Sequence, residues 1–360
     1  MSSVSTPAPT GDGALGRTPT LAPERPAPTS LAAITAPVAD DLTAFRRQFR
    51  ETMRSDVRLL DLVTRYVLRQ KGKQIRPTLV LLAARLTGSD AVRAGAPLPD
   101  TAYRAASLVE LLHTATLVHD DVVDEAETRR GVFSINALWK NKVAVLLGDF
   151  LLSRGLLLAL DHDEPQLLHV VSDAVRRMAE GELLQLEKTR HLDLDEPTYF
   201  RIIGDKTGSL IAACLACGAV SVGASADEVV RVREIGEKLG LAFQIRDDLF
   251  DYGGDAAAVG KPLGLDLQDK KLTLPLIHAL RAAPAGERKA TLRRIKKRRK
   301  KAEDARAVDA FVRQYGGLDY ARSKMEALVT AAALEIEAFP PSEAREALVQ
   351  LARYVVARKK

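Results

Sequence analysis

Residues His113–Gly131 read HTATLVHDDVVDEAETRRG. The first half of this stretch is helix-forming. It then sets Asp120, Asp121 and Asp124 together, follows them with Glu125 and Glu127, and closes on Arg129 and Arg130. Carboxylates this close on a helix repel one another. Asp120 and Asp124, four residues apart, share one helix face about a turn apart and offer oxygens toward one point. A divalent cation would offset the repulsion, and an anion held by the arginines is its natural companion.

The same acidic spacing recurs in IRDDLFDYGGD, which supplies Asp247, Asp248 and Asp251. A single D-D-x-x-D reads equally well as a solvated acidic helix end. Two copies, each following a long apolar run, point to metal. Hard cations that prefer oxygen, Mg²⁺ above all, suit such donors when phosphate oxygens complete the octahedron. Six carboxylates call for about two or three such ions, which would draw in a phosphorylated substrate. Cationic islands could hold its remaining oxygens. They are KGKQIRP with Lys71, Lys73 and Arg76, ETRRG with Arg129 and Arg130, GDKTGS with Lys206 and Thr207, and GKPLGLDLQDKK with Lys261, Lys270 and Lys271.

Outward from these motifs the chain is helical in pattern. VRLLDLVTRYVL, TAYRAASLVELLHTATLV, NKVAVLLGDFLLSRGLLLAL and DEVVRVREIGEKLGLAFQIRDDLFDY repeat apolar residues at three and four. No convincing strand alternation appears. Breakers separate the blocks at Gly88, Pro97 and Pro99, Pro165, Pro197, Gly253–Gly254, Pro262 and Pro284. Of the 360 residues 46% are hydrophobic and only 5% aromatic, a balance that favours helices over sheets. The expectation is one all-α domain over residues 41–360. Residues 1–40, rich in Pro and Thr, read as a disordered leader. With only Arg17 and Arg25 among the basic residues of that leader, a transit peptide is poorly supported.

Other features exclude or leave open further classes. Two cysteines, Cys214 and Cys217, are too few for a disulfide scaffold. They lie in the apolar run IAACLACGAV, which favours small core residues over a redox pair. No run of 18 apolar residues appears, so no membrane span is expected. His119–Asp121 matches the start of an HD-type phosphohydrolase site, but the six histidines lack ligand spacing. The block LRRIKKRRKK, Leu292–Lys301, carries eight basic residues against a whole-chain net charge of +6. Its plain reading is a solvated face; its sharper one is peripheral contact with anionic membrane through Arg293–Lys301.

Taken together the motifs resemble the trans-isoprenyl diphosphate synthases, or polyprenyl synthetases, and within them the long-chain, octaprenyl-type members. GKQIRP, LLHTATLVHDDVVDEAETRRG, INALWKNKVAVLLGDFLLSR, AEGELLQLE, DKTGSL, LGLAFQIRDDLFDY and GKPLGLDL with LTLPLI carry the resemblance, in family order, over about residues 41–360. It implies the isoprenoid synthase fold, a homodimer whose long helices wall a central cavity, with the two aspartate motifs facing across its mouth. It implies a Mg²⁺-dependent prenyltransferase that adds isopentenyl diphosphate to an allylic primer such as farnesyl or geranylgeranyl diphosphate. The product would be a long all-trans polyprenyl diphosphate, of use as a quinone side chain. The setting would be cytoplasmic, with contact at the inner membrane face, and no nucleic acid partner is expected.

Position by position, the resemblance makes Asp120, Asp121, Asp124, Asp247, Asp248 and Asp251 metal ligands. It assigns isopentenyl diphosphate to Lys73, Arg76, His113 and Arg130. It assigns the allylic diphosphate to Arg129, Lys206, Thr207, Gln244 and Lys261, with Arg129 and Lys206 acting in catalysis. Lys71 and Gln74 depart from the family's usual Gly and Arg, and Lys270 stands where Gly is common. Ala115 and Thr116, one turn before Asp120, are small where short-chain members carry aromatics. With Leu112 a turn further on, they would let the product grow toward a floor within Leu146–Leu160. A terpene cyclase would vary its second aspartate motif, and a regulatory subunit would have lost aspartates. A short- or medium-chain synthase remains the alternative within the family.

Overall fold

The computed structural model describes residues 30–69, 72–129, 132–191, 195–252, 271–297 and 302–357. Helices dominate them. In chain order they are α1 (Leu31–Thr35), a 3₁₀ turn (Ala36–Val38), α2 (Ala39–Thr52), α3 (Arg58–Arg69), α4 (Ile75–Thr87), α5 (Asp90–Arg93) and α6 (Asp100–Val123). A two-residue hairpin, β1 (Thr128–Arg129) and β2 (Val132–Phe133), leads to α7 (Ile135–Leu160), α8 (Pro165–His191) and α9 (Glu196–Ile203). A π-helical turn (Gly204–Gly208) joins α9 to α10 (Ser209–Ser221), and α11 (Ala226–Phe250) follows. The rest comprises α12 (Leu274–Ala282), α13 (Ala285–Lys296), α14 (Ala302–Gln314), α15 (Gly317–Glu337) and α16 (Glu343–Ala357).

Local signals explain most of these boundaries. Pro165 opens α8, Pro197 sits in the first turn of α9, and Pro284 caps α13, as expected of a residue with fixed φ and no N–H to lose. Ser134 caps α7, Asp195 caps α9, and Ser225 with Glu228 forms a capping box on α11. Lys140 interrupts α7 with φ 71°, a conformation that costs a side chain strain.

Helix α10 is apolar on every side and almost wholly buried, which places it at the centre. Helix α4, buried from Pro77 to Thr87, lies across it. They meet at Gly218, where a Cβ would stand 2.2 Å from the Val80 carbonyl oxygen. Helices α6, α8 and α11 complete the ring around α10, and α15 covers α11. Helix α7 packs on α6: a Cβ at Gly148 would meet His119, and one at Gly155 would meet Leu108 and Leu112. The stripe Leu108–Leu112–Ala115–His119 therefore faces α7. A buried ion pair ties the N-terminal helices to this core. Arg85 donates to Asp41 at 2.8 Å, and Tyr103 donates to the same carboxylate at 3.0 Å. Burial and the adjacent Asp41 charge push the Tyr103 phenol up to about 12.

Four expectations change. Ordered helix begins at Leu31, not after residue 40, because Ile34 and Val38 are spaced to bury themselves, and both are inaccessible; residues 1–29 of the expected leader lie outside the described residues. A short hairpin exists where no strand was expected; two residues per strand are too few to show alternation. Helix α7, which holds an 18-residue window of mean hydropathy 2.0, and the run Glu196–Ser221 are long and apolar enough to cross a membrane by length and composition, which counting uninterrupted apolar residues missed. The second run is 72% buried in the core, the first only 33%. The expected product floor is split: Leu147 and Leu151 are buried, while Leu146, Leu157 and Leu160 face outward. Both cysteines are buried free thiols, and burial pushes Cys214 up to about 12 and Cys217 well above its ordinary value. They are core residues and poor nucleophiles.

Candidate active site

Both aspartate motifs close a long helix. Asp124 is the C-cap of α6, its N–H bonded to the Asp120 carbonyl at 2.8 Å. Asp251 is the C-cap of α11, its N–H bonded to the Asp248 carbonyl at 3.3 Å. A helix C-terminus carries partial negative charge from its unpaired carbonyls. Three carboxylates at such an end are unfavourable twice over, by mutual repulsion and by the dipole. Added positive charge offsets both.

In the first motif Asp120 and Asp124 are exposed and Asp121 is buried. The Asp121 carbonyl accepts from Ala126 N–H at 3.0 Å and from Asn136 Nδ2 at 3.1 Å, which pins the start of α7 to the end of α6. In the second motif Asp248 is 4% exposed, and both its oxygens accept hydrogen bonds. Tyr199 Oη donates to Oδ2 at 2.7 Å and Gln244 Nε2 to Oδ1 at 3.1 Å. The relay continues, with Thr207 Oγ1 donating to Gln244 Oε1 at 2.9 Å. Asp247 and Asp251, which flank Asp248 in sequence, are half-buried.

The π turn carries Lys206 and Thr207. Such single turns are frequent at functional sites, because the wider coil re-aims side chains that an α-helix would space regularly. Lys206 is paired with Glu182 of α8. Together with Tyr199, Gln244, Asp248 and Lys271, Lys206 and Thr207 line a cleft of about 580 Å³, counted to its open mouth. Gln185, Lys188 and Thr189 of α8 close one side, and Leu272 and Thr273 the other. Four of the expected residues, Lys206, Thr207, Gln244 and Asp248, thus share one cleft.

The remaining expected residues are placed elsewhere or lie beyond what is described. Lys73 is exposed before α4, Arg76 is half-buried on α4, and His113 is buried on α6. Arg76 and Glu110 both act on the Cys214 thiol, so charges from α4 and α6 converge beside α10. Gln74 takes a left-handed conformation (φ 49°) and accepts from Arg46 Nε at 2.9 Å. Arg129 is on β1; Arg130, Lys261, Lys71, Lys270 and Arg298–Lys301 lie outside the described residues. Ala115 and Leu112 are buried in the α6–α7 seam, and Thr116 bonds back to the His113 carbonyl at 2.8 Å.

Sequence reasoning missed Tyr199, Gln185, Lys188 and Thr189, and placed Lys271 only among the cations that could hold diphosphate oxygens. Tyr199 lies 49 residues from the carboxylate it holds, and no local pattern announces such a pairing.

The donor set fits Mg²⁺: carboxylate oxygens only, on two helix ends whose dipoles favour a cation. Among the described residues no three Asp, Glu, His or Cys side chains converge into a ready-made cage. A cation there would complete its shell from diphosphate oxygens and water, as Mg²⁺ commonly does.

Comparison with known proteins follows the same direction. A family model described as polyprenyl synthetase matches residues 57–312. The chain is 38% identical over 325 residues to the all-trans-nonaprenyl-diphosphate synthase (geranyl-diphosphate specific) of Rhodobacter capsulatus, covering 90% of this chain and 97% of that protein. It is 34% identical over 320 residues to the octaprenyl diphosphate synthase of Escherichia coli (strain K12), covering 89% and 96%. Among solved structures it resembles the polyprenyl synthase of Caulobacter crescentus CB15 complexed with calcium and isoprenyl diphosphate. That likeness has a TM-score of 0.82 at 34% identity and covers 94% of this chain and all of that one.

Proposed function

The chain belongs to the polyprenyl synthetase family and is a trans-prenyltransferase of the long-chain kind; on that premise we propose how its residues carry the reaction, and on what. The substrates are isopentenyl diphosphate and an allylic primer, farnesyl or geranylgeranyl diphosphate, and the product serves as a quinone side chain. The observation that carries the reading is the cleft that Lys206 lines beside the hydrogen-bonded relay Thr207–Gln244–Asp248.

Asp120, Asp121, Asp124, Asp247, Asp248 and Asp251 hold Mg²⁺, which when bound neutralises charge on the departing diphosphate. Lys206 exchanges its Glu182 partner for diphosphate oxygens, and Thr207 offers its hydroxyl beside it. Arg129 and Lys261 add positive charge to the same group. Lys73, Arg76, His113 and Arg130 orient isopentenyl diphosphate so that its double bond meets the allylic carbon as the C–O bond breaks. A proton then leaves the new cation to the released diphosphate. The buried Leu112–Ala115 seam keeps water from the growing apolar tail.

The functional unit in this proposal is a homodimer. Support comes from α7, where Leu138, Val145, Leu146, Leu157 and Leu160 are exposed, matched by exposed Leu183 and Leu186 of α8. Exposed apolar surface of this kind is spent on a partner. The setting is cytoplasmic, with peripheral contact to the inner membrane face through the basic end of α13. Incubating the purified chain with an allylic diphosphate, isopentenyl diphosphate and Mg²⁺, then sizing the dephosphorylated products, tests the reading. Failure to extend any primer would refute it.

A further inference from the structure

The π turn is the least regular backbone in the cleft, yet it carries two of the cleft's polar groups. Helix α8 holds it at three successive points. Ser209 Oγ, at its end, lies 3.5 Å from the Ala174 carbonyl. Arg177 Nε donates to Asp205 Oδ1 at 2.8 Å, and Arg177 Nη1 donates to Glu237 Oε1 of α11 at 2.6 Å. At Gly181 the backbones approach so closely that a Cβ would stand 2.9 Å from Lys206 N. On the far side a Cβ at Gly240 would stand 2.5 Å from the Gly208 Cα. The turn is therefore wedged between α8 and α11, and the Arg177 guanidinium bridges both walls.

Arg177 does not line the cleft. Its side chain is 20% exposed and that of Asp205 16%, so solvent screens this pair only in part. A guanidinium forks to two carboxylates with fixed geometry, which a lysine ammonium cannot reproduce. We propose that Arg177 is a positioning residue for the condensation: by tying Asp205 to Glu237 it fixes the π turn, and with it the aim of Lys206 and Thr207. Asp205 precedes Lys206 directly, so any rotation of the turn that releases Asp205 swings the lysine away from the diphosphate. The proposal rests on the cleft being the allylic diphosphate site.

The test compares Arg177→Gln, Arg177→Lys, Asp205→Asn and the double variant Arg177→Gln/Asp205→Asn with wild type, measuring kcat and the KM of each substrate separately. Misaiming of this order should cost about tenfold to a hundredfold in kcat over KM for the allylic diphosphate. The KM for isopentenyl diphosphate should stay within about twofold, since Arg76 and His113, two of its proposed residues, lie on α4 and α6. Arg177→Lys should recover part of the loss, and the double variant should be no worse than the worse single one. Circular dichroism and thermal melting identify any variant that is merely unfolded, and the near-isosteric Asp205→Asn keeps the test available if Arg177→Gln is one. A loss of active fraction with both KM values unchanged, or losses that multiply in the double variant, would overturn the proposal. A wild-type chain that extends no primer would instead overturn the function on which it rests.

Discussion

Tyr199 on α9 donates its hydroxyl hydrogen to Asp248 on α11 at 2.7 Å, with both side chains buried. This bond, with that of Gln244, orients the central carboxylate of the second aspartate motif. Removing one donor from a buried acceptor typically costs about 1–3 kcal/mol. Tyr199→Phe is therefore expected to lower the unfolding free energy by that order. It should also raise the Mg²⁺ concentration for half-maximal activity. Denaturant titration and a Mg²⁺ titration of turnover read the two effects; an unchanged Mg²⁺ requirement would separate Tyr199 from the metal site.

Asp120 and Asp247 open their motifs near helix C-termini. Asp120→Ala or Asp247→Ala should lower turnover by orders of magnitude at saturating Mg²⁺ while helix content is kept. Near-normal turnover in either variant would make the two-motif mechanism wrong.

Ala115 is buried in the α6–α7 seam, one turn from Leu112. A helix turn rises about 5.4 Å, close to one extended isoprene unit, so wild type is expected to release products of about six to ten units. Ala115→Tyr should shorten them to about three or four units. Overpacking of a tight site commonly costs about 1–3 kcal/mol, so stability must be measured beside product length. Full-length product from a folded Ala115→Tyr would end this assignment.

The basic end of α13 exposes Arg293, Arg294 and Lys296, while Lys297 is tied to the buried Asp304 at 2.7 Å. Replacing the first three with Gln leaves that ion pair in place. Each basic residue near an anionic surface contributes about 1 kcal/mol. Co-sedimentation with vesicles rich in anionic lipid should therefore fall steeply in the triple variant and with added salt. Equal binding by wild type and variant would remove the membrane role.

His278 on α12 stacks on Tyr320 with ring centroids 4.0 Å apart, and burial holds its imidazole below the usual value of 6.5, against the opposing pull of Glu196 and with a further push down from Arg281. The unfolded chain then binds the proton first as pH falls. Stability contributed by neutral His278 is present above pH 6.5 and is lost as pH drops from 6.5 through its folded value. His278→Phe keeps a ring on Tyr320 and should flatten that part of the stability–pH curve. Melting both proteins between neutral and mildly acidic pH checks it; parallel curves would refute it.

The helical fold and the acidic motifs were legible because their information is local. Apolar residues at three and four define the helices, prolines open α8, α9 and α13, and carboxylates four apart mark a helix end whether or not the partner helix is known. Lys206, Thr207 and Gln244 were legible through the resemblance, and the structure joins them to Asp248 in one cleft. The start at Leu31 was overlooked because Pro- and Thr-rich surroundings diluted a three-residue apolar pattern, Leu31, Ile34 and Val38.

What the sequence by itself determined is therefore the kind of element, all-α, and the family; it also marked two carboxylate-rich helix ends and the cations proposed to act with them. Only the tertiary structure decided which partners hold the side chains of the cleft and its turn. Tyr199 reaches Asp248 from another helix, Arg177 bridges Asp205 to Glu237, and Glu182 occupies Lys206. The physical reason is one of range. Helix periodicity and charge repulsion act within a turn or two of chain, whereas a hydrogen bond between side chains 28 to 60 residues apart exists only once packing around α10 has brought their helices together.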